Sequence, residues 1–452
     1  MRTRVAVAGL IAVATALLPL AGPVNASAGD RHHHHQGVHH RTHKGDHKGD
    51  HKKTDRRGHK RHHRKGPPYM PPEGGHFNIP TGNHEQQSRI ERTVLDAIHH
   101  ARPGSYIKIA LFSFDRRPMG DALIKAYRRG VHVQLLLNDH QVTRTMRTMK
   151  GVFHANRDRK SFIYQCNRGC RGGSFLHTKL YVFSHTGGAT MGTTMVGSAN
   201  LTTNAEVHQW NDLLVLNNAN VYKVADKVFE QMKRDKKAHP VYHVWDISSR
   251  YELQAFQHPH TTKKNDPIMQ ILSKVHCKGA TRGTGTNGHT KIRVDMHRWA
   301  ERRGSYIAHR LIQLYGEGCD VKLMHGSADD AVRAAMRTRT HRGLVPLRTN
   351  GFDENGDGEL DRYTHHKYMT ISGNYGKDHS TSLLLTGSSN WAGIGVTGDE
   401  ILFLAKGRGY VRQWNSNWNY IWAHGSKPVT YRRPGHYDVI EPKPTGKYWE
   451  ND

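Results

Sequence analysis

Beyond about residue 76, apolar and polar positions follow two alternating periods. Ile90, Val94, Leu95 and Ile98 recur at helical spacing, and Arg102-Pro103-Gly104 ends that helix. Ile107 to Phe112 reads as a largely buried strand, a helix runs through Leu123 and Tyr127 to Gly130, and Val131 to Leu137 is the next strand. Strand, helix and strand of these lengths predict a parallel pair joined by a right-handed crossover. The plan then repeats. Ile268 to Val275 reads as an opening helix, Ile292 to Met296 as a strand, Leu311 and Leu314 as a helix face, and Val321 to Met324 as a second strand. Tyr127-Arg-Arg-Gly130 and Tyr315-Gly-Glu-Gly318 hold the same place in each copy, 188 positions apart. The repetition predicts two related α/β lobes, residues 76–245 and 246–430, packed on each other and followed by a tail, 431–452.

The ends of the chain have a different character. Met1-Arg-Thr-Arg, an apolar run from Val5 to Leu20 and the small residues Ala26-Ser27-Ala28 read as a secretory signal peptide over residues 1–28. The alternative, a membrane anchor, suffers from an apolar run shorter than a bilayer-spanning helix. A secreted protein with no membrane span after signal removal, acting as a monomer, is expected. Residues 29–75 contain the stretch Arg31 to Lys65, nearly all His, Lys, Arg, Gly and Asp with Val38 its lone apolar residue. Such a segment cannot offset its ordering entropy by burial and is expected to be disordered, a solvated tether rather than a defined metal site. The stretch Arg31 to Lys65 carries 12 Lys and Arg against 3 Asp, +9 of the formal net charge of +29. It implies an anionic partner: nucleic acid, acidic lipid headgroups or another anionic surface.

Four cysteines suit an oxidising compartment. Three connectivities are open to them, and pairing Cys166 with Cys170 and Cys277 with Cys319 is the preferred reading. A zinc site at Cys166 and Cys170 is the rival, weakened by the lack of a second matching pair.

The chemistry concentrates in one repeated constellation. Phe175-Leu-His177-Thr-Lys179-Leu-Tyr-Val-Phe183 alternates like a strand, which would project His177 and Lys179 to the same face. A small-residue turn follows at Gly197-Ser198-Ala199-Asn200. The second half repeats this as Tyr363-Thr-His365-His366-Lys367 and Gly387-Ser388-Ser389-Asn390. His177 and His365, like Lys179 and Lys367, again stand 188 positions apart. His366, of opposite strand polarity, is expected to point away. A reactive imidazole needs its second nitrogen held by an acceptor. Asp212 and Glu400 each precede an apolar strand at the same offset and are the first candidates; Asn211 and Asp399 are the second.

Two copies of H-x-K, each followed by G-S-x-N, resemble the phospholipase D superfamily, and the likeness covers both lobes. The resemblance implies an α/β fold of two similar lobes, each a mixed or mostly parallel sheet flanked by helices, with one active site at their interface. It implies a phosphodiesterase that forms a phosphohistidine. His177 would attack phosphorus, and His365 would protonate the leaving oxygen and then activate water or an alcohol. Lys179, Lys367, Asn200 and Asn390 would surround the non-bridging oxygens, with Ser198 and Ser388 binding substrate, and no cofactor would be needed. The family motif usually ends in Asp, where this chain has Ser184 and Ser372. That departure keeps a catalytically inactive, polyanion-binding relative in play. Among active readings, hydrolysis or transfer of phospholipid headgroups stands first and a secreted nuclease second.

Ahead of the second motif, Asp353, Asn355, Asp357 and Asp361, with Gly358 at the sixth place, match the spacing of a calcium loop, with Thr364 where a bidentate Glu is expected. A structural Ca2+ or a plain polar turn both fit that spacing.

Overall fold

The computed structural model describes residues 68–256, 258 and 260–429. The expected signal peptide, the basic stretch Arg31 to Lys65 and the tail 431–452 lie outside the described residues.

The first lobe contains β1 (Gly74–Phe77), β2 (Tyr106–Leu111), β3 (His132–Leu137), β4 (Phe162–Gln165), β5 (Leu180–Phe183), β6 (Thr193–Gly197), β7 (Gln209–Trp210) and β8 (Asp212–Leu216). All but β7 form one sheet in the order β1-β8-β6-β5-β2-β3-β4. Only β2–β3 and β3–β4 are parallel, the pairs joined by crossovers, and the other neighbours are antiparallel. The second lobe contains β9 (His243–Asp246), β10 (Tyr251–Phe256), β11 (Val275–His276), β12 (Lys291–Trp299), β13 (Asp320–Ala328), β14 (Leu347–Thr349), β15 (Tyr363–Thr364), β16 (Lys367–Tyr375), β17 (Asp378–Gly387), β18 (Glu400–Lys406) and β19 (Lys427–Pro428). Its central order, β10-β18-β17-β16-β12-β13-β14, repeats that of the first sheet strand for strand, with β9 and β19 added at the edges and β11 on β16.

Alternation along the strands explains the layering. Ile107, Ile109 and Leu111 of β2 face the helices Arg89–His100 and Arg117–Arg128. Ala110 and Leu136 face the other way, into a core shared between the lobes. That shared core takes the helices Ala219–Lys233 and Arg408–His424 and the inner residues Leu253, Ile401 and Phe403 of the second sheet. The outer face of the second sheet, with Ile292, Val294 and Leu323, is covered by the helix Glu301–Gly316. The apolar faces of both sheets thus converge between the lobes.

The first lobe includes residues before 76. Glu73 Oε1 and the Pro71 carbonyl bond to Asn217, and β1 begins at Gly74. The second sheet likewise begins at β9, before residue 246, because His243–Asp246 pairs with β10. Cys166–Cys170 and Cys277–Cys319 are the disulfides. No helix among the described residues is long and apolar enough to cross a membrane.

Candidate active site

The motif segments leave their own sheets before the chemistry begins. His177 and Lys179 lie in extended chain ahead of β5, and His365 lies in the gap between β15 and β16. Their backbones are taken up by the opposite lobe. His177 N–H donates to the Asp399 carbonyl at 3.1 Å and Thr178 Oγ1 to the same carbonyl at 2.8 Å. His365 N–H donates to the Trp210 carbonyl at 2.9 Å, next to the parallel ladder of β7 with β15. Each histidine is therefore hung on the other lobe, beside the residue that follows its backbone partner.

Those following residues are Glu400 and Asn211. His177 Nδ1 lies 2.8 and 2.9 Å from the two carboxylate oxygens of Glu400, and both side chains are buried. His365 Nδ1 lies 3.0 Å from Asn211 Oδ1. The Asn211 amide is oriented by Nδ2, which donates to the Ala205 carbonyl and Gln209 Oε1. Its Oδ1 is therefore an acceptor, and His365 Nδ1 carries the hydrogen. In both rings Nε2 is then the nitrogen for chemistry.

Pairing Asp212 with Glu400 was one residue off. Gly197 faces Leu213 and Gly387 faces Leu402, so the counterpart of Glu400 is Asn211. Asp212 belongs to β8 and accepts from Thr386 Oγ1 and Trp414 Nε1, tying the lobes together away from both imidazoles. Asp399 does not touch His177 with its side chain. Its carboxylate accepts from the Arg171 and Gly173 amides at 2.6 and 3.0 Å, just past the loop closed by Cys166–Cys170. Full burial pushes that carboxyl up to about 7, against the pull of the Arg171 amide and guanidinium.

The remaining predicted residues divide between the site and its support. Lys179, Lys367, Asn200 and Asn390 are all buried with the histidines. Lys367 Nζ donates to the His365 carbonyl at 3.0 Å, and Lys179 Nζ lies 5.5 Å from the Phe112 ring. Asn200 Oδ1 accepts from Ser113 N–H, and buried Arg303, anchored on Asp266, donates to the Asn390 carbonyl. Ser198 and Ser388 are buried beside the imidazoles' partners. Each donates its single hydroxyl hydrogen to a supporting side chain, Ser198 to Asn211 and Ser388 to Glu400. Ser184, just past β5, and Ser372, within β16, accept the Tyr106 and Gly285 amides, so the missing motif Asp leaves the imidazoles' partners intact. His366 forms a separate, fully buried pair with Asp295 at 2.8 Å. Sequence reasoning missed Asn138, which seats Leu176 ahead of His177, along with Arg303, Phe112 and His297. Nothing in their local sequence marks them.

The acidic loop folds onto itself. Asp353 accepts the Gly356 and Gly358 amides, Asp361 those of Glu354 and Asn355, and Asn355 Nδ2 donates to Asp357 and Asp361. Among the described residues no three His, Cys, Asp or Glu side chains converge as a metal-binding group. The loop is a polar turn held by its own amides.

Two buried imidazoles, two buried lysines and two asparagines at one junction suit an anionic centre that gains negative charge during reaction. Residues 94–233 match the family described as "Cardiolipin synthase, PLD-like domain". No curated protein matches. Among solved structures the chain is similar to polyphosphate kinase from Porphyromonas gingivalis, at 12% identity and TM-score 0.49, covering 82% of this chain and 53% of that one. It thus spans about half of that kinase. It is also similar to phosphatidylserine synthase from Haemophilus influenzae, at 11% identity and TM-score 0.49, covering 79% and 89%. A shorter likeness is to the phospholipase D family member Nuc from Salmonella typhimurium, at 20% identity and TM-score 0.28, covering 36% and 93%. Residues 94–233 of the first lobe thus match a phospholipase D-like domain, and the second lobe repeats that lobe's strand order.

Proposed function

We propose that the protein is a secreted phosphodiesterase that cleaves phospholipid headgroups by double displacement through a phosphohistidine on His177. The observation that carries the assignment of roles is the unequal support of the two imidazoles. Glu400 gives His177 a fixed negative charge on Nδ1, which favours the ring that must carry a covalent phosphoryl group and its positive charge. Asn211 gives His365 a neutral acceptor, which holds the Nδ1 hydrogen without a fixed charge that would make the ring retain its Nε2 proton.

In the first step His177 Nε2 forms a bond to phosphorus as the bond to the leaving oxygen breaks, and His365 Nε2–H passes its proton to that oxygen. In the second step His365 Nε2 takes a proton from water or an alcohol, whose oxygen displaces His177 from phosphorus. Lys179, Lys367, Asn200 and Asn390 neutralise the non-bridging oxygens in both steps. Every proton and bond is accounted for by these side chains and the two substrates.

The lipid substrate is supported by the description of the matched family, and export by the leader-like residues 1–28. A secreted nuclease is the second reading, favoured by the formal charge of +29. Purified protein incubated with vesicles of phosphatidylcholine or phosphatidylglycerol, and separately with plasmid DNA, decides between them. Release of choline or glycerol that vanishes in His177→Ala supports the lipid reading, and nicking of DNA alone supports the nuclease. Binding without turnover, unchanged in His177→Ala, rules out both.

A further inference from the structure

His297 holds the place beside His365 that Phe112 holds beside His177. The register Ala110↔Leu180 between β2 and β5, continued by one pair, sets Leu111 opposite Lys179. In the second lobe Met296 stands opposite Lys367. The next residues, Phe112 and His297, are therefore counterparts. Their contacts agree: the Phe112 and His177 rings meet edge to face at 5.4 Å and 71°, the His297 and His365 rings at 5.0 Å and 61°. The chemistry differs. His297 Nδ1 bonds to the Thr364 carbonyl at 2.9 Å, and a carbonyl only accepts, so Nδ1 carries the hydrogen. Nε2 is then the ring's acceptor or, when protonated, a second donor.

The two halves of the site thus differ twice. His177 has a carboxylate on Nδ1 and a hydrocarbon wall; His365 has a neutral amide on Nδ1 and an imidazole wall. A general acid backed by an amide lacks the fixed charge that would steady its cationic form. A neighbouring imidazole, unlike a phenyl ring, supplies a nitrogen acceptor at its edge in place of that charge. Thr364 immediately precedes His365, so the His297–Thr364 bond also fixes this wall to the chain that carries the acid.

We propose that His297 is a positioning residue for leaving-group protonation, steadying cationic His365 until its Nε2 proton passes to the departing oxygen. This rests on the reading of His365 as the general acid. His297 itself changes no covalent bond in the step and keeps its Nδ1 hydrogen on Thr364.

The test is His297→Phe, which installs the first lobe's own residue. Turnover is measured on two esters of one phosphate, an alkyl alcohol ester, whose leaving group needs a proton, and a p-nitrophenyl ester, whose leaving group does not. The ratio of the two kcat values is independent of how much enzyme is folded. The expected result is a loss of about tenfold or more on the alkyl ester and about twofold or less on the nitrophenyl ester, with KM unchanged. A ratio that stays at the wild-type value overturns the proposal and leaves His297 as packing. Should His297→Phe fail to fold at all, His297→Gln is read for the same ratio. A wild type inert on both esters removes the phosphodiesterase reading itself, a result distinct from an unchanged ratio.

Discussion

Replacing Glu400 by glutamine isolates the charge on which the division of labour depends. Glutamine keeps the length and one acceptor oxygen of the side chain that lies 2.8 Å from His177 Nδ1, but removes its negative charge. The pair is buried, with side-chain exposures of 2% for His177 and 1% for Glu400, so the charge is little screened. Losing one such preorganised electrostatic partner costs about 3–4 kcal/mol of transition-state stabilisation. At about 1.4 kcal/mol per decade, Glu400→Gln should slow phosphoenzyme formation by roughly 10²- to 10³-fold. Rapid-quench measurement of covalently bound phosphate under single-turnover conditions reads that step directly, and melting confirms the fold. A rate within about threefold of wild type would refute the claim that the carboxylate prepares His177. So would an equal loss in Asp212→Asn, whose carboxylate bonds to Thr386 and Trp414 instead.

Asp212→Asn is expected to lower stability by about 1–3 kcal/mol, because a buried acceptor of Thr386 and Trp414 is compromised, while activity per folded molecule stays near wild type. Urea unfolding and active-site titration measure the two effects separately. His325, fully buried, has its imidazole pushed down to about 4, by desolvation first and by Arg333 second. Its neutral form therefore contributes stability that is complete above about pH 6.5 and falls by about 3 kcal/mol as pH drops toward 4. His325→Leu should remove that dependence, read as the difference between variant and wild type because Asp399, held near 7 by burial, acts with the opposite sign. Replacing Cys277 and Cys319 by serine should cost about 4 kcal/mol and replacing Cys166 and Cys170 about 2 kcal/mol, following the loop each bond closes. Denaturant midpoints give both values. Only the smaller loss should bring a fall in activity, since that loop anchors the adjoining segment at Arg171 and Gly173, which seats Asp399 and, through it, the His177 backbone.

What the sequence made legible was local. H-x-K and G-S-x-N are short spacings, and the helices and strands around Ile90, Leu123 and Leu135 announce themselves through neighbouring residues. The recurrence of those elements made the two-lobed plan readable as well. The supporting residues were not legible, for a definite reason. Asp212 and Glu400 keep the offset of the histidines in sequence, but the turns between the motifs differ in length between the lobes, and strand register aligns Asn211 with Glu400. An amide and a carboxylate in equivalent places carry no sequence signature until that register is known. The strand-like alternation of Phe175 to Phe183 misled similarly, since the edge that captures His177 comes from the other lobe. Spacing alone could not show that the loop at Asp353 satisfies its carboxylates with its own amides.

The central claim is that one site takes a phosphodiester through a covalent bond to a single, identified histidine. Acid-sparing quench of the enzyme with a labelled phosphodiester, followed by peptide mapping, locates that bond. The account predicts phosphate on His177, accumulating when His365→Asn slows its hydrolysis and absent in His177→Asn. Phosphate on His365, or turnover that proceeds in His177→Asn, would contradict it.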